Sequence, residues 1–187
     1  MLLHAAASCL IVVDVQTRLV AAVSEAPRVI ANARLLLDAA AHLDVPVLAT
    51  EQYPEGLGAT VPALADALAP SARFPKITFA AAADAAFVER LRALKRPQVV
   101  LLGMEAHVCV LQSALGLLRE GMTVYVVADA VASRDPADAR AAVDRLVRAG
   151  AHIVTAEMVV FEWLERADTP AFRALLPALK ARTGRTR

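Results

Sequence analysis

Cys9-Leu-Ile-Val-Val-Asp-Val15 is an apolar, largely β-branched run interrupted by a single carboxylate. Its hydrophobicity is continuous rather than alternating, the pattern of a strand covered on both faces, so it reads as a central parallel strand. C-terminal to it, Pro27 can open a helix whose apolar positions Val29, Ile30, Ala33, Leu36, Leu37 and Ala40 recur at helical spacing. Val45-Pro-Val-Leu-Ala-Thr50 then reads as a second strand, and Glu51-Gln-Tyr-Pro-Glu-Gly-Leu-Gly58 as a polar loop leaving its carboxyl end. The same rhythm continues: a short third strand near Phe74-Pro-Lys76, a helix over 83–94, and a buried strand over 98–103. A helix over 108–120 ends at Gly121, a strand covers 123–128, and a helix over 136–149 stops at Gly150. A last strand at 151–155 and helices at 157–164 and 170–180 complete the pattern. Parallel neighbours require crossovers, so the expected fold is α/β: a three-layer α/β/α, Rossmann-like open parallel sheet of about six strands.

With 187 residues the chain is expected to form one domain over 1–187, its basic tail 182–187 solvated and frayed. Apolar residues make up 58% and charged residues 21%, which excludes a disordered chain. The 20 Lys and Arg nearly balance the 19 Asp and Glu, so no net field favours nucleic acid or an anionic membrane as partner. Asp14, Arg18 and Asp129 interrupt the apolar runs well short of the roughly 20 residues a membrane helix needs. The segment before Cys9 lacks the basic start and apolar length of a lipoprotein signal. Two cysteines without metal-ligand spacing fit a reducing compartment, and a cytoplasmic protein is expected.

Asp14, Lys76 and Cys109 each fall where a strand ends, and ligands of open α/β sheets bind outside those carboxyl ends, where strand order reverses. Cys109 lies in Gly103-Met-Glu-Ala-His-Val-Cys-Val-Leu-Gln112, a strand-to-helix junction. A thiol in a first helical turn near an ammonium is expected to titrate low, with Lys76 as the ammonium and Asp14 as proton acceptor. Each residue also has a structural explanation. Cys109 fits as a small buried apolar side chain, Asp14 as a cap or as the buried partner of Lys76 or Gln16, and Lys76 as a surface lysine. His107 is two residues from Cys109, a spacing at which helical side chains diverge, so it is rejected as the base. No Gly-rich phosphate loop appears at a strand-to-helix turn, and no cofactor is expected.

Asp14-Val-Gln16, Lys76 and Glu105-Ala-His-Val-Cys-Val-Leu-Gln112 resemble the isochorismatase-like cysteine hydrolases over nearly the whole chain. The resemblance implies the isochorismatase-like fold and a catalytic triad of Asp14, Lys76 and Cys109. It also implies a non-proline cis peptide at Met104-Glu105 that helps set the oxyanion hole with the N–H of Cys109. The implied chemistry is thiolate attack on a small amide or related C–N bond, release of amine and hydrolysis of a thioester. Nicotinamidases of the superfamily bind a metal through an aspartate and histidines after the second strand. This chain reads Thr50-Glu-Gln-Tyr-Pro54 there, so no metal is expected. Isochorismate-cleaving members characteristically lack the cysteine. Thr50-Glu-Gln-Tyr-Pro54, Val126-Val-Ala-Asp-Ala130 and Glu157-Met-Val-Val-Phe-Glu-Trp-Leu164 resemble the isochorismatase-domain-containing subgroup. Family members commonly form oligomers, and a homo-oligomer acting on a small molecule is expected. Gln16, Glu51, Tyr53, Phe79 and His107 are the expected substrate-pocket residues. The alternatives are a non-catalytic scaffold using Cys109 for redox or ligand binding, and vinyl-ether hydrolysis of the isochorismate type.

Overall fold

The computed structural model describes residues 1–183. Along the chain run β1 (Ser8–Val13), α1 (Thr17–Val20), α2 (Ala26–His42), β2 (Val47–Gln52) and the single turns α3 (Pro54–Leu57) and α4 (Pro62–Ala65). There follow β3 (Arg73–Lys76), α5 (Ala85–Ala93), β4 (Gln98–Met104), a π-helical turn (Ala106–Val110), α6 (Leu111–Arg119) and β5 (Thr123–Ala132). The chain continues through α7 (Pro136–Arg148), β6 (His152–Val154), α8 (Ala156–Leu164) and α9 (Pro170–Thr183). The six strands form one sheet in the order β3-β2-β1-β4-β5-β6, with every pairing parallel. This is the open α/β architecture expected from the sequence.

Side chains alternate across a strand, so β1 feeds two cores. Leu10 and Val12 pack under α2, α8 and α9 with Leu36, Val159, Trp163 and Leu179. Cys9, Ile11 and Val13 pack on the other face with Phe87 of α5, Leu117 of α6 and Leu146 of α7. Of the two aromatics on α8, Trp163 is buried and its Nε1 donates to Ser8 Oγ at 3.0 Å, whereas Phe161 is exposed and leans on Phe172. Pro27 opens α2 as expected. Asp84, Asp135 and Thr155 cap α5, α7 and α8 by accepting from backbone N–H groups.

Several boundaries differ from the sequence reading. Strand β2 extends through Gln52 because Glu51 and Gln52 pair with Pro75 and Lys76 of β3, so the polar loop begins only at Tyr53. Strand β5 runs four residues past Ala128, because its register against β4 shifts between Leu101 and Gly103 and lets Val131 and Ala132 pair again. Helix α9 continues to Thr183, into the segment expected to fray, and residues 184–187 of the expected tail lie outside the described residues. Among the described residues no helix is long and apolar enough to cross a membrane.

Strands β1 and β4 are the neighbours at which strand order reverses, since the chain moves outward to β3 before returning to β4. Gly103 is essential at that seam. Its φ is +129°, and a Cβ there would sit 2.0 Å from the carbonyl oxygen of Val13. Replacing Gly103 with Ala forces either the backbone or the central strand pair to move. Gly103→Ala is expected to lower unfolding free energy by about 3 kcal/mol, read by urea denaturation as a fall in midpoint.

Candidate active site

At the carboxyl end of β1 the chain leaves the sheet through Asp14, whose φ is +50°. Aspartate tolerates this left-handed conformation better than most residues. The Asp14 N–H donates to the Thr50 carbonyl at 3.1 Å, so the residue stays tied to β2 while its carboxylate turns over the sheet edge. Lys76 ends β3 and reaches across β2: its Nζ donates to Asp14 Oδ2 at 2.7 Å, to Gln52 Oε1 at 2.7 Å and to the Phe79 carbonyl at 3.3 Å. All three ammonium protons therefore have acceptors. The second carboxylate oxygen, Oδ1, accepts from Thr50 Oγ1 at 2.7 Å. The Lys76 and Asp14 side chains are 1% and 0% exposed, so this is a fully desolvated ion pair with its hydrogen-bonding capacity met.

Cys109 approaches the pair from the π-helical turn that follows β4. Its thiol is buried and lies close enough to Asp14 and Lys76 for both charges to act on it. The expectation of a low thiol is corrected here. Burial, followed by the Asp14 charge, pushes the Cys109 thiol up to about 12, and the opposing pull of Lys76 does not compensate. Lys76 already shares its charge with Asp14 at close range, so the sulfur meets a nearly neutral pair in a dry environment. The resting group is a thiol.

The turn carrying Cys109 is fixed from below. The Met104-Glu105 peptide is cis. The Glu105 carboxylate accepts from Arg134 N at 3.1 Å and Arg134 Nε at 2.9 Å. His107 is likewise turned toward the loop between β5 and α7, with Nδ1 2.9 Å from Ser133 Oγ and Nε2 3.6 Å from Asp138 Oδ2.

Of the expected pocket residues, Gln16 and Glu51 are committed to internal contacts. Gln16 Nε2 donates to the carbonyls of Gln52 and Gly58, and its Oε1 accepts from Gln52 N, so this fully buried amide staples the β1 and β2 ends to the following loop. Glu51 Oε1 accepts from both N and Oγ1 of Thr60. Tyr53 and Phe79 are exposed, and the Tyr53 N–H donates to the Lys76 carbonyl. Among the described residues no three of His, Cys, Asp and Glu converge as metal ligands.

A family model for the isochorismatase domain matches residues 8–158, which hold all six strands and every residue of this cluster. This chain belongs to the isochorismatase family. Mouse isochorismatase domain-containing protein 2A is 36% identical over 175 residues, covering 92% of this chain and 82% of that protein. The structure of MAR1 ribonuclease from Caenorhabditis elegans superposes with a TM-score of 0.90 at 36% identity, covering 96% of this chain and 93% of that one. The YcaC gene product of Escherichia coli, an octameric hydrolase of unknown specificity, superposes with a TM-score of 0.89 at 25% identity, covering 98% and 96%. The chain thus has an isochorismatase-type hydrolase fold, and the resemblance read from its motifs holds.

Sequence reasoning did not pick out Thr50 and Gln52 as site residues, although both lay in motifs that were noted. Their signal was a polar pair two residues apart at the end of an otherwise buried strand, which places both side chains on one face, here the face of Asp14 and Lys76. Arg134, which holds Glu105, carried no local signal.

Two outcomes follow from the electrostatics. Lys76→Met leaves the Asp14 carboxylate buried without its counter-charge and is expected to cost about 3–5 kcal/mol near neutral pH, which urea unfolding will read as a lower midpoint. Cys9 and Cys109 are both raised from 9.0 to about 12 by burial. Their neutral forms favour the folded state fully below pH 9, and that contribution is lost as pH rises toward 12. A Cys9→Ala/Cys109→Ala protein should therefore lose less stability than wild type over that alkaline interval.

Proposed function

We propose that the protein is a metal-independent cysteine hydrolase acting on a small amide or related C–N bond through a thioester on Cys109. The observation that carries this is a fully desolvated Asp14–Lys76 pair with the buried Cys109 thiol near enough for both charges to act on it. In attack, Sγ bonds to the carbonyl carbon while the thiol proton passes to Asp14 and the C=O electron pair moves onto oxygen. Backbone N–H groups of the Cys109 turn and of the Met104-Glu105 peptide are suited to hold that oxyanion. On collapse the C–N bond breaks and Asp14 returns the proton to the departing amine. Water then gives a proton to Asp14 as it attacks the thioester, and the released sulfur regains that proton. Lys76 stays charged throughout and keeps Asp14 oriented.

The high resting thiol suits this scheme, because the proton moves only when the sulfur is being consumed. Covalent acrylamide on the YcaC protein of Pseudomonas aeruginosa, 26% identical with a TM-score of 0.90, is in keeping with a nucleophile on this fold. The octamer of the Escherichia coli relative supports a homo-oligomer here too. All strands sharing one sheet supports a single domain over 1–187. Buried, unpaired cysteines fit the reducing cytoplasm as the compartment, although a relative in Phytophthora sojae is a secreted effector.

A panel of small primary amides and ureas, assayed for ammonia release, tests the proposal. Wild type is expected to turn over at least one member, and Cys109→Ala and Asp14→Asn are each expected to lose about 1,000-fold or more in kcat/KM. Hydroxylamine should divert the acyl group to a hydroxamate. Turnover that survives Cys109→Ala points to isochorismate-type chemistry instead, and no turnover with any C–N substrate favours a scaffold.

A further inference from the structure

Asp14 sits between two donors of different kinds. Lys76 grips Oδ2, and Thr50 Oγ1 donates to Oδ1 from the neighbouring strand. Thr50 is buried, and its carbonyl also receives the Asp14 N–H, so one residue fixes both the backbone and the carboxylate of Asp14. The groups that titrate or carry charge facing Asp14 are Lys76 from β3 and Cys109 from the turn after β4, with the neutral Gln52 amide closing the β2 side. Glu51 is tied to Thr60 and Glu105 to Arg134, so neither carboxylate is directed at Asp14.

We propose that Thr50 is a positioning residue for Asp14, its hydroxyl holding the carboxylate in the orientation that accepts the Cys109 proton. Lys76 grips one carboxylate oxygen and Thr50 the other, so the two hydrogen bonds leave Asp14 one fixed orientation. In a dry site no water replaces the hydroxyl when it is lost. The inference rests on the proposed role of Asp14 as the base for Cys109.

The test reads Cys109 directly and needs no substrate. The rates of Cys109 and Cys9 alkylation by iodoacetamide near neutral pH are measured together by peptide mass spectrometry in wild type and in Thr50→Val, Thr50→Ala, Thr50→Ser and Asp14→Asn. Thr50→Val and Thr50→Ala should each slow Cys109 about tenfold without changing Cys9, and Thr50→Ser should restore the wild-type rate. Cys109 alkylation that is unchanged in both Thr50→Val and Thr50→Ala, yet slowed in Asp14→Asn, overturns the role of Thr50 and leaves Asp14 as the base. Asp14→Asn alkylating at the wild-type rate overturns the proposed role of Asp14 itself. A merely structural Thr50 would loosen the fold and speed both buried cysteines together, which also overturns the proposal.

Discussion

The Lys76–Asp14 pair is the constraint around which the rest of the site is organised. Two full charges withdrawn from water cost several kcal/mol each, and their attraction offsets this only if every remaining donor and acceptor is satisfied. The structure meets that condition with contributions from several successive segments: Thr50 and Gln52 from β2, Phe79 from the loop after β3, and Cys109 from the turn after β4. The carboxyl ends of β1, β2 and β3 must therefore lie level. Their pairing sets this directly, with Val13 opposite Thr50 and Gln52 opposite Lys76. Gln16 and Glu51 then hold the loop leaving β2 against the same strand ends. Fold and chemistry share one piece of geometry.

Cys109 is where the competing effects are decided. A helix start and an ammonium both lower a thiol's proton affinity, and from the motif alone they appear to dominate. Burial and the nearby Asp14 charge act in the opposite sense, and here they win. In the proposed mechanism this difference matters, because the site then holds a carboxylate beside a thiol rather than a stored thiolate. In that mechanism the thiol proton is the one that Asp14 delivers to the leaving amine.

The architecture was legible because strong local signals agreed. The run from Cys9 to Val15 marked a central strand, Pro27 a helix start, and Gly121 and Gly150 the ends of helices before strands. Asp14, Lys76 and Cys109 could be placed at strand ends from pattern alone, and family likeness grouped them. What the sequence did not carry was long-range. The extension of β2 through Gln52 depends on pairing with β3, and the continuation of β5 to Ala132 depends on a register shift against β4. Gln16 and Glu51 were expected in the pocket from the family-like motif and from the loop after the second strand. Their actual acceptors and donors, Gly58 and Thr60, come from a loop whose path no local pattern specifies. The sign of the thiol shift was out of reach for the same reason, since it depends on how deeply three segments bury one atom.

The most direct measurement of the central claim is the ultraviolet absorbance of thiolate, taken as the difference between wild type and Cys109→Ser while pH is raised from neutrality. A neutral resting thiol predicts no Cys109 thiolate signal until pH is well above the ordinary 9.0. A full thiolate signal already present at neutral pH would contradict the account, because Lys76 would then be paired with the sulfur and Asp14 would have no proton to accept.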